Sequence, residues 1–120
     1  MCLLIHKKET IIKKKQMDKL MVKHIILWTL KEMSETEKAS VKKGIKEGLE
    51  GLKGKIPGLI DIKVVADGRL ESSTADLMLD STFDSFDSLK GYSKNPAHVA
   101  VADEKVRPFT ASRACLDFEV

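Results

Sequence analysis

A chain of 120 residues, 42% hydrophobic and 32% charged, fits one soluble globular domain with a modest core, and no apolar run approaches the length of a membrane span. The formal charge of +3 is uneven: Lys7, Lys8, Lys13, Lys14, Lys15 and Lys19 face only Glu9 and Asp18 in residues 1–20. The basic balance therefore reports a tail and not a phosphate-tracking face, and neither a nucleic acid nor a membrane is expected as partner.

Residues 1–20 carry no core pattern. The apolar start Cys2–Ile5 is too short for a signal-peptide core, and the charges follow it. The segment reads as a disordered basic extension, with a membrane- or nucleic-acid-binding arm as the alternative. Cys2 and Cys115 lie too far apart in sequence to suggest a disulfide framework, and predict a reducing, cytoplasmic setting. Cys115 sits in a strand-like apolar run and is expected to be a small core residue.

Met21–Lys31 is predicted as a strand. Val22, Ile26, Trp28 and Leu30 fall on one face and Met21, Ile25 and Leu27 on the other, so both faces need cover. Ser34 and Glu37 form a capping box, and the apolar stripe Val41, Ile45, Leu49, Leu52, Ile56 predicts a helix to about Lys53. Gly44, Gly48 and Gly51 flank the stripe, which points either to close backbone packing or to a weak helix. Gly54, Pro57 and Gly58 end it.

Leu59–Ala66 and Ala75–Phe83 are predicted as two strands of an antiparallel hairpin, joined through the Asp67-Gly68 turn and a polar loop. A helical region then begins at Asp84, with Phe86 and Leu89 as anchors and Gly91 as a break. Asn95-Pro96 restarts a helix that runs to about Val106. Phe109–Val120 is the last strand, with Thr110, Ser112, Ala114, Leu116 and Phe118 on one face. The order β-α-β-β-α-β is the ferredoxin-like arrangement, an α+β fold with four antiparallel strands and helices on one side. The two-sided apolarity of the first strand then calls for a second copy of the sheet.

Several of these segments resemble the stress-responsive dimeric α/β-barrel family: Val22–Trp28, Ile56-Pro57-Gly58, Tyr92, Asn95–Val99 and Asp117-Phe118. The resemblance covers about residues 21–118 and implies a homodimer closed through the sheet face. It fixes little chemistry, because a fold hosts many functions. One member type, a plant polyketide cyclase, implies a pocket between sheet and helices at His24, Trp28, Leu49, Leu77, Leu79, Tyr92, His98 and Phe109. Its acid/base pair corresponds to Tyr92 and His98. A second tyrosine and a second histidine of that pocket fall on Leu49 and Leu77, which weighs against the cyclase reaction. The family also suggests a hard cation held by backbone carbonyls of Lys53, Ile56 and Leu59, where orphan carbonyls end the first helix. No other cofactor is expected.

His98 near a helix start is disfavoured as imidazolium, so it reads either as a neutral base beside the Tyr92 hydroxyl or as a histidine whose ring nitrogen bonds Tyr92 and ties helix to sheet. His24 reads either as the polar end of a pocket or as a core-edge histidine satisfied by a backbone group. His24 and His98 alone lack the spacing of a zinc site. Two functions remain: a dimeric barrel that binds a small apolar or aromatic molecule without catalysis, or a cofactor-free cyclase, monooxygenase or isomerase using Tyr92 and His98.

Overall fold

The computed structural model describes residues 20–120, so the expected extension lies outside the described residues apart from Leu20. The chain runs β1 (Val22–Leu30), α1 (Glu35–Glu50), β2 (Leu59–Val65), β3 (Leu77–Phe83), α2 (Phe86–Lys94), α3 (Pro96–Val101), a π-helical turn (Ala102–Val106) and β4 (Thr110–Glu119). The sheet order is β2-β3-β1-β4, antiparallel throughout, which is the ferredoxin-like α+β topology. β1 takes an inner position, as a strand apolar on both faces should. Val22, His24, Ile26, Trp28 and Leu30 are buried toward the helices, while Leu27 on the other face stays exposed.

Each helix starts on the cap its sequence offers. Ser34 accepts the Glu37 N–H at 3.1 Å, and Asn95 accepts the Ala97 N–H at 2.9 Å with Pro96 in the first turn. Ser85 caps α2 by accepting the Ser88 N–H. α1 ends at Glu50, earlier than the apolar stripe suggests, because Gly51 takes the cap and a series of turns begins. A Cβ on Gly48 would lie 2.9 Å from Val101 Cγ1, so α1 does pack its backbone closely against α3. Gly58 has φ +80°, and a Cβ there would sit 2.1 Å from Ser88 Oγ. Both the left-handed backbone and the close approach of α2 require glycine.

Two expectations for the second helical region are corrected. Gly91 does not break α2, which continues to Lys94, since the glycine lies on an open face with nothing near its would-be Cβ. Phe86 is not a core anchor; it is 56% exposed, with the Lys90 ammonium 4.7 Å over its ring. Leu89 and Tyr92 carry the burial instead.

The core forms between the helices and the inner faces of β1, β2 and β3, with Ile45, Val64 and Phe83 fully buried. Edge strand β2 is tied to α1 by Glu50, whose carboxylate accepts the Val64 N–H at 2.9 Å while Lys46 donates to both Glu50 and the Val64 carbonyl. This covers part of an edge that would otherwise present unpaired backbone. β4 has no such cover: from Ala111 to Glu119 it is exposed on both faces.

Candidate functional site

Because the helices stop short of β4, a cavity of about 650 Å³ remains between them and the sheet. Its floor is built by strand register. Pairing of β1 with β4 sets His24 opposite Asp117, Ile26 opposite Cys115 and Trp28 opposite Arg113, and paired residues share a face. A register shift at Thr29/Leu30 turns Thr110 to the cavity as well, against its expected place on the face of Ser112 and Ala114. The roof comes from Leu89 and Tyr92 of α2, His98 of α3, and Ala102 and Val106 of the π-helical turn.

His24 is buried, and its Nδ1 hydrogen-bonds Asp117 Oδ1 at 2.5 Å. Its partner is thus a carboxylate, where the sequence allowed a backbone group. The backbone of His24 is used separately, its carbonyl accepting the buried Ser81 hydroxyl at 2.8 Å. Cys115 is not a core residue. It is exposed on the cavity side of β4, because the strand that carries it lies beyond the helices. Its thiol donates to Asp117 Oδ1 at 3.5 Å and its sulfur is 3.8 Å from His24 Nδ1. Partial burial and then the Asp117 charge raise the thiol pKa.

Tyr92 is only 2% exposed. Burial pushes its phenol well above the ordinary range, with the Arg113 charge opposing. Its ring meets Phe83 and His24 edge-on and lies over the His98 ring at 4.0 Å between centroids, tilted by 34°. Among the described residues the Tyr92 hydroxyl and His98 Nδ1 are both buried without a hydrogen-bond partner. The two side chains therefore stack and do not bond, which corrects the reading of a Tyr92–His98 hydrogen bond between helix and sheet. Burial lowers the His98 pKa; the Ser93 backbone opposes this, and the charges of Arg107, His24 and Arg113 add to it.

Of the residues expected in a pocket, the cavity brings together His24, Trp28, Leu49, Leu79, Tyr92 and His98. Leu77 is buried elsewhere in the core, and Phe109 lines a separate groove with Met33, Val41 and Lys105. The Ile56 carbonyl of the expected cation site accepts the Leu59 N–H at 3.2 Å inside its own turn. Sequence reasoning missed Arg113, Cys115 and Asp117 as cavity residues. Their alternation along β4 was visible, but which alternate face meets the helices depends on the register with β1.

The sequence matches the family described as Stress responsive A/B Barrel Domain over residues 22–120. A dimeric protein of unknown function with a ferredoxin-like fold from Bacteroides fragilis is 36% identical, with 83% of this chain and 96% of that one covered at a TM-score of 0.77. Two enzymes share the fold at lower identity. The hydroxynitrile lyase of Passiflora edulis is 17% identical, covers 85% and 94%, and has a TM-score of 0.64. SnoaB, a cofactor-independent oxygenase from Streptomyces nogalater, is 10% identical, covers 84% and 93%, and has a TM-score of 0.65. Among curated proteins none matches. No helix among the described residues is long and apolar enough to cross a membrane.

Proposed function

The chain belongs to the stress responsive A/B barrel family, and we propose that it is a homodimer whose cavity binds a small apolar or aromatic molecule. The observation that carries the ligand reading is the buried Tyr92 hydroxyl, unpartnered beside an equally unpartnered His98 Nδ1. A buried polar group left unpaired costs about 1–3 kcal/mol. Both residues line the cavity, and a ligand that reaches either group through a side-chain shift recovers that cost, while the rings of Trp28, Phe86 and Tyr92 and the side chains of Ile26, Leu79 and Leu89 take its apolar body.

The dimer reading rests on the sheet face turned away from the helices. There Leu27 lies between Ala114 and Met78, Ile25 pairs with Leu116, and Met78 pairs with Val65. Leu27, Val65, Leu116 and Phe118 form exposed apolar surface on one side of one sheet, the kind of patch that marks an interface. The Bacteroides fragilis relative is dimeric, which supports the same assembly here.

Burial opposes both ionisation of the Tyr92 phenol and protonation of His98, which favours binding over acid/base catalysis by this pair. The test is a thermal-shift screen of small aromatic compounds on wild type, Tyr92→Phe and His98→Ala. Compounds that stabilise wild type and act weakly on both variants are expected. A screen with no stabilising compound, or with equal effects on all three proteins, would contradict the reading.

A further inference from the structure

Three chemically different metal-ligand atoms converge at the β1–β4 pairing: His24 Nδ1, Cys115 Sγ and Asp117 Oδ1 lie within 4.8 Å of one another. We propose that they form a three-ligand site for a divalent transition metal of the zinc class, with its fourth position open to the cavity. The ligand set suits that class, since imidazole, thiolate and carboxylate together favour a borderline-soft ion in tetrahedral geometry over a hard cation.

The distances can be compared with those the bond lengths demand. Tetrahedral bonds of the usual lengths put sulfur about 3.6 Å from each of the lighter ligands and nitrogen about 3.3 Å from oxygen. Cys115 Sγ is 3.5 Å from Asp117 Oδ1 and 3.8 Å from His24 Nδ1, near the tetrahedral values. The Nδ1–Oδ1 separation of 2.5 Å is a hydrogen bond, and it has to open when an ion replaces the proton between the two atoms. The movement falls on Asp117, whose side chain is 38% exposed, since the His24 side chain is only 10% exposed and is held edge-on by Phe83 and Tyr92.

The site is built and not merely a surface cluster, because its histidine is buried and packed edge-on against the Phe83 and Tyr92 rings. The charge balance also permits it. A carboxylate and a thiolate neutralise a divalent ion, and Arg113, the cationic neighbour on the same face of β4, stands against two anions. On binding, the Cys115 thiol loses its proton to water. For a neutral imidazole the ring proton passes from Nδ1 to Nε2, so that the Nδ1 lone pair meets the metal. One proton is therefore released per ion. This inference does not depend on the apolar-ligand reading, and the site can fill whether or not an organic ligand is ever found.

Cobalt(II) is the probe, titrated into reduced, chelator-stripped full-length protein. The expected result is one ion per chain, strong visible bands of a tetrahedral ion, and a near-ultraviolet sulfur-to-metal charge-transfer band. Cys115→Ser should abolish the charge-transfer band while far-ultraviolet circular dichroism stays unchanged. Asp117→Asn and His24→Gln should each weaken zinc binding, measured by competition, by about tenfold or more. A spectrum with only the weak bands of an octahedral ion would overturn the assignment. So would a charge-transfer band that survives Cys115→Ser and disappears in Cys2→Ser, which would place the ion on the other cysteine.

Discussion

β1 and β4 are hydrogen-bonded neighbours from Val22↔Glu119 to Leu30↔Thr110, yet they live in different surroundings. Every second residue of β1 is buried, whereas β4 is exposed almost throughout. The difference lies in what covers them. α1, α2 and α3 cover β1, β2 and β3, and the sheet extends one strand beyond the helices. Where cover is complete, the inner face is mainly aliphatic and aromatic, as burial requires, and its buried Ser81 hydroxyl is satisfied by the His24 carbonyl. Where it stops, the inner face carries Arg113, Cys115 and Asp117, polar groups that only a wet or ligand-filled space tolerates. The cavity is the boundary between these two regimes.

The sharpest way to break this comparison is to truncate one residue on each side of it. Phe83 is fully buried on β3, and Phe83→Ala is expected to cost about 3–5 kcal/mol in urea unfolding. Arg113→Ala, on the uncovered strand, should change stability by less than about 0.5 kcal/mol. Similar costs for both would mean that β4 is covered after all.

The outer face offers the next largest effect. Leu116 is 63% exposed and belongs to the proposed dimer surface. Leu116→Glu places a charge from each protomer in the proposed apolar interface and should shift sedimentation equilibrium from a dimer toward the 13.4 kDa chain mass. A variant that remains fully dimeric would remove this face from the interface.

A smaller effect is expected from pH. Burial holds the His98 pKa below the ordinary imidazole value, so the unfolded chain takes up that proton before the folded chain does. Stability should fall as pH drops below about 6.5, the unfolded value, and the loss should level off once pH passes below the folded pKa. Urea midpoints of wild type minus those of His98→Asn, followed over this window in the presence of chelator, should carry that decline. A flat difference would show that His98 titrates alike in both states.

The least perturbing change is Tyr92→Phe. Its hydroxyl has no partner among the described residues, so removing it should cost no stability and should recover part of the roughly 1–3 kcal/mol that the unpaired group costs. A loss of about 1–3 kcal/mol would reveal a hydrogen bond that the phenol makes and the variant lacks.

Local chemistry made much of the fold legible in the sequence. The Ser34 and Asn95 caps, the apolar stripe through Ile45 and Leu49, and the two apolar faces of β1 each depend on residues close in the chain. For Gly48 the sequence left close packing and a weak helix open, and the approach of Val101 decides for packing. Phe86 was misread because helical spacing with Leu89 says which residues share a face, not where the core ends along the axis. The polar floor of the cavity was less legible. His24 and Asp117 are 93 residues apart, and their meeting depends on the β1–β4 register, which no hairpin turn sets. Cys115 illustrates the consequence: its apolar sequence neighbours suggest a core position, but the strand lies beyond the covering helices.

The central claim is that the uncovered inner face of β4 leaves a working ligand cavity, and amide chemical shifts test it most directly. A set of small aromatic compounds titrated into the 15N-labelled protein should produce saturable shifts concentrated at Tyr92, His98 and Arg113, with the outer-face residues Leu27 and Leu116 unmoved. Absence of saturable shifts, or shifts centred on the outer face, would contradict the account.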